Sequence, residues 1–358
     1  IYLIKQVLEG VPPTALTQSH LDRCLTCRSC ETTCPSGVSY GRLADIGRGL
    51  VEARGGRGLT ASVWRRSLAL VLSRRQLFAP LLALGRVFRP LLPAALASKV
   101  PAPAPAPGAW PAARHARRML VLAGCVQPAL APRINAAAAR VLDRVGISLI
   151  EVQGAGCCGA LRYHLNLQDD GLDDMRALID AWWPQIESGI EAIVLTASGC
   201  GATVRDYGHL LAHDPAYAAK AARVSGLCRD IAEVVAQEVD GSDLTGRLRR
   251  VNARVAFHSP CSLQHGQKVR GKVEALLRAT GVELTAVPDA HLCCGSAGTY
   301  SILQPELSNQ LRANKLAALG SGHPERIVSA NIGCLIHLAQ EAPVPVEHWI
   351  ESLDACLD

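Results

Sequence analysis

Beyond residue 115 the chain alternates short, mostly apolar runs with longer segments whose apolar side chains recur every three or four residues. Met119 to Ala123, Ile147 to Val152 and Ala192 to Leu195 are runs of the first kind, and Ile134 to Val145 and Leu172 to Glu187 are of the second. A strand buried on both faces reads as a continuous apolar run, whereas an amphipathic helix buries one stripe. Their alternation predicts a parallel sheet with helical crossovers. Upstream, Val63 to Leu96 also has helical apolar spacing, and prolines at 80, 90 and 93 predict that it breaks into short helices. Arg74, Arg75, Arg86 and Arg89 leave it no apolar run near the roughly 20 residues that a membrane span takes. Pro101 to Pro111 alternates proline with alanine, a stiff extended linker. Tyr40 to Ala53 is helix-compatible and ends at Gly55-Gly56.

The cysteines impose a second pattern on the first. Cys125 precedes the Cys157-Cys158-Gly159 triplet by 32 residues, and Cys261 precedes Cys293-Cys294-Gly295 by the same 32. A Gly-Cys pair follows each triplet, at Gly199-Cys200 and Gly333-Cys334, and a strand precedes Cys125 as Arg254 to Phe257 precedes Cys261. Two copies of one α/β unit therefore fill residues 115 to 358. In open α/β sheets, sites gather at the carboxyl ends of strands. That logic brings Cys125, Cys157, Cys158 and Cys200 to one metal centre, and Cys261, Cys293, Cys294 and Cys334 to another. Iron–sulfur and zinc both suit four thiolates, and a metal-free reading stands beside them. A disulfide between adjacent cysteines is disfavoured by strain. Histidines lie near these cysteines at 164, 258, 265, 291 and 337, each read as a ligand, a proton carrier or a plain hydrogen-bonded side chain. Cys228 and Cys356 fall outside the pattern and read as small apolar side chains.

Nearer the start, Cys24, Cys27, Cys30, Cys34 and Pro35 form the run C-x2-C-x2-C-x3-C-P, the spacing by which ferredoxin modules hold a [4Fe-4S] cluster. In two-cluster modules the first three cysteines bind one cluster and the fourth ligates the other. No second run of this kind occurs, and the chain starts at Ile1, so the expectation is a fragment lacking its first motif, in which Cys34 reaches for a cluster whose other ligands are missing. Zinc sites take two C-x2-C pairs across a longer loop, which this run does not match.

Composition changes the picture in two places. Fourteen cysteines set in metal-ligand spacings, with no signal peptide at Ile1, fit a reducing cytoplasm better than a secreted disulfide scaffold. The net charge of +6 is regional: from Ala53 to Leu142 there is no Asp or Glu, while Arg54, Arg57, Arg65, Arg66, Arg74, Arg75, Arg86, Arg89, Lys99, Arg114, Arg117, Arg118, Arg133 and Arg140 are basic. No recognition motif or aromatic platform accompanies this charge, which argues against nucleic acid. An anionic membrane surface, a partner subunit and the chain's own core remain as readings of the basic amphipathic stretch. The expected architecture is an α/β C-terminal tandem repeat of two similar open parallel-sheet units, 115–245 and 246–358. A small α-helical ferredoxin-like segment, 1–58, precedes it, with basic helices and linker at 59–114.

The string HLDRCLTCRSCETTCPSGVSYGRLADIGRGLVE at 20 to 52 resembles the iron-sulfur subunit of bacterial glycolate oxidase, as do GCCGALRYHLN at 156, IDAWWPQIESGIEAIVLTASGCGA at 179 and HLCCGSAGTY at 291. The repeats are similar to the cysteine-rich CCG domains of heterodisulfide reductase, lactate-utilisation and anaerobic glycerol-3-phosphate dehydrogenase subunits. Trp182-Trp183 and their surroundings favour glycolate oxidase. The resemblance implies a subunit of an FAD-dependent glycolate dehydrogenase. FAD-bearing partner subunits would oxidise glycolate to glyoxylate, and this chain would pass electrons towards membrane quinone. It also implies two [4Fe-4S] clusters in the full-length subunit, further Fe–S or Zn in the repeats, and a place in the cytoplasm or at the inner face of its membrane. A lactate or glycerol-3-phosphate dehydrogenase subunit and a zinc-stabilised assembly module are the alternatives. The family carries two ferredoxin motifs where this chain has one, and the fullest CCG pattern ends in C-x2-C where Thr203 and His337 stand here. If either repeat keeps a metal, His337 could replace the lost thiolate, and only in the second. No G-x-G-x-x-G fingerprint for a dinucleotide is present.

Overall fold

A computed structural model describes the chain except for residues 92, 94–96, 98–99, 242–247 and 358. The expected end of the basic stretch at Leu96, Lys99, and the expected boundary at 245/246 lie outside the described residues.

Residues from 117 onward build two four-stranded, all-parallel sheets. The first holds β1 (Arg117–Val121), β2 (Ile147–Glu151), β3 (Ile193–Leu195) and β4 (Cys228–Asp230). The second holds β5 (Arg254–His258), β6 (Glu283–Leu284), β7 (Arg326–Ser329) and β8 (Val346–His348). Their orders, β2-β1-β3-β4 and β6-β5-β7-β8, are the same topology twice. In each, the chain leaves its first strand for one neighbour and returns on the other side, so the winding reverses between β1 and β3, and between β5 and β7. Such a switch point opens a crevice at the strands' carboxyl ends.

The two units share one core. Helix Arg133–Arg144 runs Ala136 to Ala139 without a large side chain, which gives strong helix propensity and a close approach on both faces. It packs on β2 and also on helix Trp349–Asp354 of the second unit, and Ile231–Gly241 packs on Lys272–Ala279. The helix after the first strand of each unit therefore meets the last helix of the other, the reciprocal arrangement of a twofold interface. Trp349 and Ile350 are fully buried at this seam, and Arg140 closes it on Asp354 at 2.5 Å. Trp182, wholly buried, anchors the opposite face of the first sheet.

Helices Tyr2–Leu8, Ala15–Asp22, Ser29–Thr33 and Tyr40–Gly55 form the N-terminal segment around a small core of Ile4, Val7, Leu21 and Val51. Helices Leu59–Ser73 and Arg75–Phe88 follow. The expected break at Pro80 does not occur: it lies inside the second helix, and the chain turns at Arg74 instead. The ring removes one hydrogen bond, to the exposed Gln76 carbonyl that water can serve, so the helix continues. Residues 101–112 form neither helix nor strand and are held against the first unit by Trp110 Nε1 donating to Leu149 O at 3.2 Å and by Arg140 donating to Pro107 O and Ala109 O. Much of the acid-free region's charge is matched by acids elsewhere in the chain: Arg57 by Asp22 and Glu52, Arg65 by Asp22, Arg117 by Glu191 and Glu238. Among the described residues no single helix is long and apolar enough to cross a membrane.

Candidate metal centres

At the first switch point the loop after β1 carries Cys125, the loop after β2 carries Cys157 and Cys158, and helix Ser198–Arg205 after β3 carries Cys200. The glycine of the triplet makes this possible. Gly159 has φ +78°, and a Cβ there would stand 2.4 Å from Gly171 O, so the chain turns tightly against helix Gln168–Glu187 and turns both sulfurs inward. Gly295 repeats this at φ +88°, with a Cβ 2.6 Å from Ser308 O.

The thiols of each set touch in a line. Hydrogen bonds from the Cys125 and Cys158 thiols, with the Gly159 N–H and the charge of Arg162, hold Cys157 well below the usual thiol range. The same contact with Cys157 pushes Cys125 and Cys158 well above it, and burial adds to the effect. The second set copies the first. Cys261 lies 3.9 Å from Cys293, which accepts the Gly295 N–H at 3.3 Å and is held low by its Cys261 and Cys294 neighbours. Asn331 Nδ2 donates to Cys334 Sγ at 3.4 Å. Thiols packed this closely, buried or half-buried, oppose one another's ionisation, because each thiolate raises its neighbour, as at Cys125 and Cys158 beside Cys157. A cation among them removes that conflict, and N–H donors already aimed at sulfur suit thiolate ligands. The donor sets fit a thiophilic metal or an iron–sulfur cluster.

Of the five histidines, one joins the thiols. A ring nitrogen of His258 and the Sγ atoms of Cys294 and Cys334 all lie within 4.8 Å of one another. His337, the expected replacement ligand, is turned away: its Nε2 lies 3.2 Å from Ser308 Oγ, on the helix packed across from its own. Thr203 Oγ1 bonds back to Gly199 O and adds nothing to the first set. His164 Nδ1 meets Asp45 at 3.4 Å, His265 meets Thr32 Oγ1 at 2.8 Å and His291 O at 3.0 Å, and the His291 side chain is exposed. Cys228, whose Sγ meets Gly201 O at 3.9 Å beside Cys200, and Cys356 are buried outside both thiol sets.

The N-terminal cysteines sit over the junction of the two units. Thr26 and Arg28 take positive φ, +51° and +57°, and wind Cys24, Cys27 and Cys30 into one cluster. Arg48, nearly buried, fixes that loop by donating to Leu21 O and Cys24 O. Burial raises Cys27, and the charges of Cys293, Cys24 and Cys30 raise it further, so Cys27 faces the second unit's thiols as well as its own partners. Burial likewise raises Cys30, with Cys24 adding to it. Cys34 stands apart from these three. Backbone N–H groups of Val38, Ser36 and Gly37 surround it and lower its pKa, as they would support a metal-bound thiolate. Arg28 pairs with Asp206, Thr32 with His265, and Tyr300 Oη donates to Arg23 O at 3.3 Å, tying the segment to both units. Cys24 borders a cleft lined by Arg48, Arg65, His164 and Tyr300. No periodicity or spacing in the sequence signals this docking.

A family model described as a cysteine-rich domain matches residues 119–205 and 255–339, once in each unit. The chain is 53% identical over its whole length to the glycolate oxidase iron-sulfur subunit of Escherichia coli (strain K12), covering 87% of that protein. It is 27% identical to the probable glycolate oxidase iron-sulfur subunit of Bacillus subtilis (strain 168), over 94% of the chain and 81% of the relative. Lactate utilization protein A of Bacillus velezensis is 27% identical over 64% of the chain and 96% of the relative.

Proposed function

The chain belongs to the family of glycolate oxidase iron-sulfur subunits, and on that footing we propose that it receives electrons from a flavin-bearing partner oxidising glycolate to glyoxylate and delivers them towards a quinone. An iron–sulfur cluster held by these thiolates supplies a one-electron carrier. The observation that carries the reading is the seating of the N-terminal cysteine loop on the second unit, where Thr32 Oγ1 lies 2.8 Å from His265 Nδ1 and Tyr300 Oη donates to Arg23 O at 3.3 Å, which sets Cys24, Cys27 and Cys30 towards the second unit's thiols. Cys24, Cys27 and Cys30 hold one centre, Cys34 serves a second with its three amides, and the two sets of four thiols hold the centres of the repeats. Thr32 with His265 and Tyr300 with Arg23 keep the N-terminal loop seated, and burial of Cys293 and Cys294 keeps water from that approach.

The test is Cys27→Ser in the assembled complex. The partner's flavin should still be reduced by glycolate while electron delivery to quinone is lost, since serine is a poor ligand in a soft-donor site. Normal quinone reduction by that variant would sink the assignment.

We further propose that helices Leu59–Ser73 and Arg75–Phe88 seat the chain on an anionic membrane surface. Leu77, Leu81, Leu84, Val87 and Phe88 are exposed on the second helix, which buries no residue. Arg66 and Arg74 are also exposed, without an ion pair among the described residues, and add basic charge to the apolar helix.

A further inference from the structure

His258 ends β5, buried to 2% exposure, three residues before Cys261. Its Nδ1 lies 2.9 Å from Ser329 Oγ, its register partner on β7, which fixes the ring. Its Nε2 is buried without a hydrogen-bond partner among the described residues. An orphaned buried nitrogen is costly unless something binds it. The groups the His258 ring can share an occupant with are the Cys294 and Cys334 thiols, which lie with one of its ring nitrogens inside 4.8 Å of one another, and Nε2 is the nitrogen left free. A second hydrogen bond orienting the other ring nitrogen is the usual support of a metal-bound histidine.

The first unit has nothing equivalent. Three residues before Cys125 stands Leu122, 4% exposed and part of the apolar core. We infer that His258 Nε2 is a metal ligand together with Cys294 and Cys334, so that the second repeat holds a mixed imidazole–thiolate centre and the first a centre of thiolates alone. The inference rests on the reading of the repeats as metal centres. Iron in a cluster and a single zinc-like ion share this ligand chemistry, and the experiment separates them.

The full chain, made with 15N-labelled histidine, is loaded anaerobically in two arms, with iron and sulfide or with cadmium-113 alone. Pulsed EPR of the reduced iron form, or NMR of the cadmium form, then reads coupling of the metal to histidine nitrogen. Wild type should show that coupling in one arm, which identifies the occupant. His258→Leu, which copies the first unit's residue and fills the space, should lose it completely, while His337→Ala keeps it. Ser329→Ala, which leaves the ring in place, should weaken or shift it. Coupling that survives His258→Leu, or disappears in His337→Ala, would overturn the assignment, as would metal bound at the repeats with no histidine coupling. Failure of the repeats to bind metal in both arms would overturn the underlying reading as well.

Discussion

Gly159 offers a quantitative test of how the paired cysteines are presented. An alanine there meets two separate penalties. The φ of +78° lies where an L residue costs about 1–2 kcal/mol. The new Cβ would stand 2.4 Å from Gly171 O and 2.9 Å from Met175 Cγ, and a backbone carbonyl inside a packed helix cannot swing aside, so overpacking adds about 1–3 kcal/mol. Gly154 serves as the internal control, because its φ of +89° carries the conformational cost but its Cβ would meet nothing within 4 Å. Gly154→Ala should therefore lose about 1 kcal/mol and Gly159→Ala about 3–4 kcal/mol. Urea unfolding of the reduced, metal-free chain, followed by fluorescence of the buried Trp182 on the very helix that Gly159 abuts, measures both. Alkylation of Cys157 and Cys158, buried in wild type, should also quicken in Gly159→Ala alone. A difference between the variants below about 0.5 kcal/mol would refute the close-approach argument and leave the triplet glycine with only its backbone freedom.

Further outcomes follow from other sites. Asp230, fully buried, has its pKa raised to about 7, chiefly by burial and by Glu233, against the stabilising Ala232 N–H, Gln267 and Arg205. Between 3.8 and about 7 the folded chain keeps a proton that the unfolded chain releases, so this group lowers stability by roughly 1.4 kcal/mol per pH unit as pH rises and is constant above; Asp230→Asn should flatten that part of the Tm–pH curve, and parallel curves would exclude it. Cys158→Ala and Cys294→Ala should each lower metal content, whereas Cys228→Ala, outside both thiol sets, should leave it unchanged; iron analysis showing equal small losses at all three would favour metal-free repeats. Vesicles containing anionic lipid should bind the chain, with a Leu81→Asp, Leu84→Asp variant at least about tenfold weaker, since each buried leucine contributes about 1.5–3 kcal/mol; equal sedimentation of both proteins would remove the membrane reading.

The tandem architecture was legible because β1, β2, β3 and β5 fall on mostly apolar runs and the cysteine spacing repeats. Met119 to Ala123 and Ile147 to Val152 lie within two residues of β1 and β2. The strands that escaped are β4, β6, β7 and β8, of two to four residues with polar members such as Arg229, Glu283, Arg326 and Glu347, too short to show a period. The seam between the units was hidden for another reason: helix Arg133–Arg144 buries apolar residues on more than one face, and a sequence does not say what covers the second. Within the sites, the thiol sets follow from strand-end logic, but the choice of His258 over His337 depended on Ser308 of a different helix occupying His337. Aligning the repeats on their cysteines would have pointed to it, because His258 then falls opposite Leu122. The seating of Cys27 against Cys293 depends on contacts such as Thr32 with His265 that no local pattern encodes.

The account's central claim is that the N-terminal cysteines and the second repeat hold neighbouring redox centres. The most direct measurement is low-temperature EPR of the full chain, loaded anaerobically with iron and sulfide and then fully reduced. Wild type should show signals broadened or split by magnetic interaction between the two centres, and Cys294→Ala should return the N-terminal signal to an unsplit form. A wild-type spectrum that is the plain sum of independent signals, or iron confined to the N-terminal segment, would contradict it.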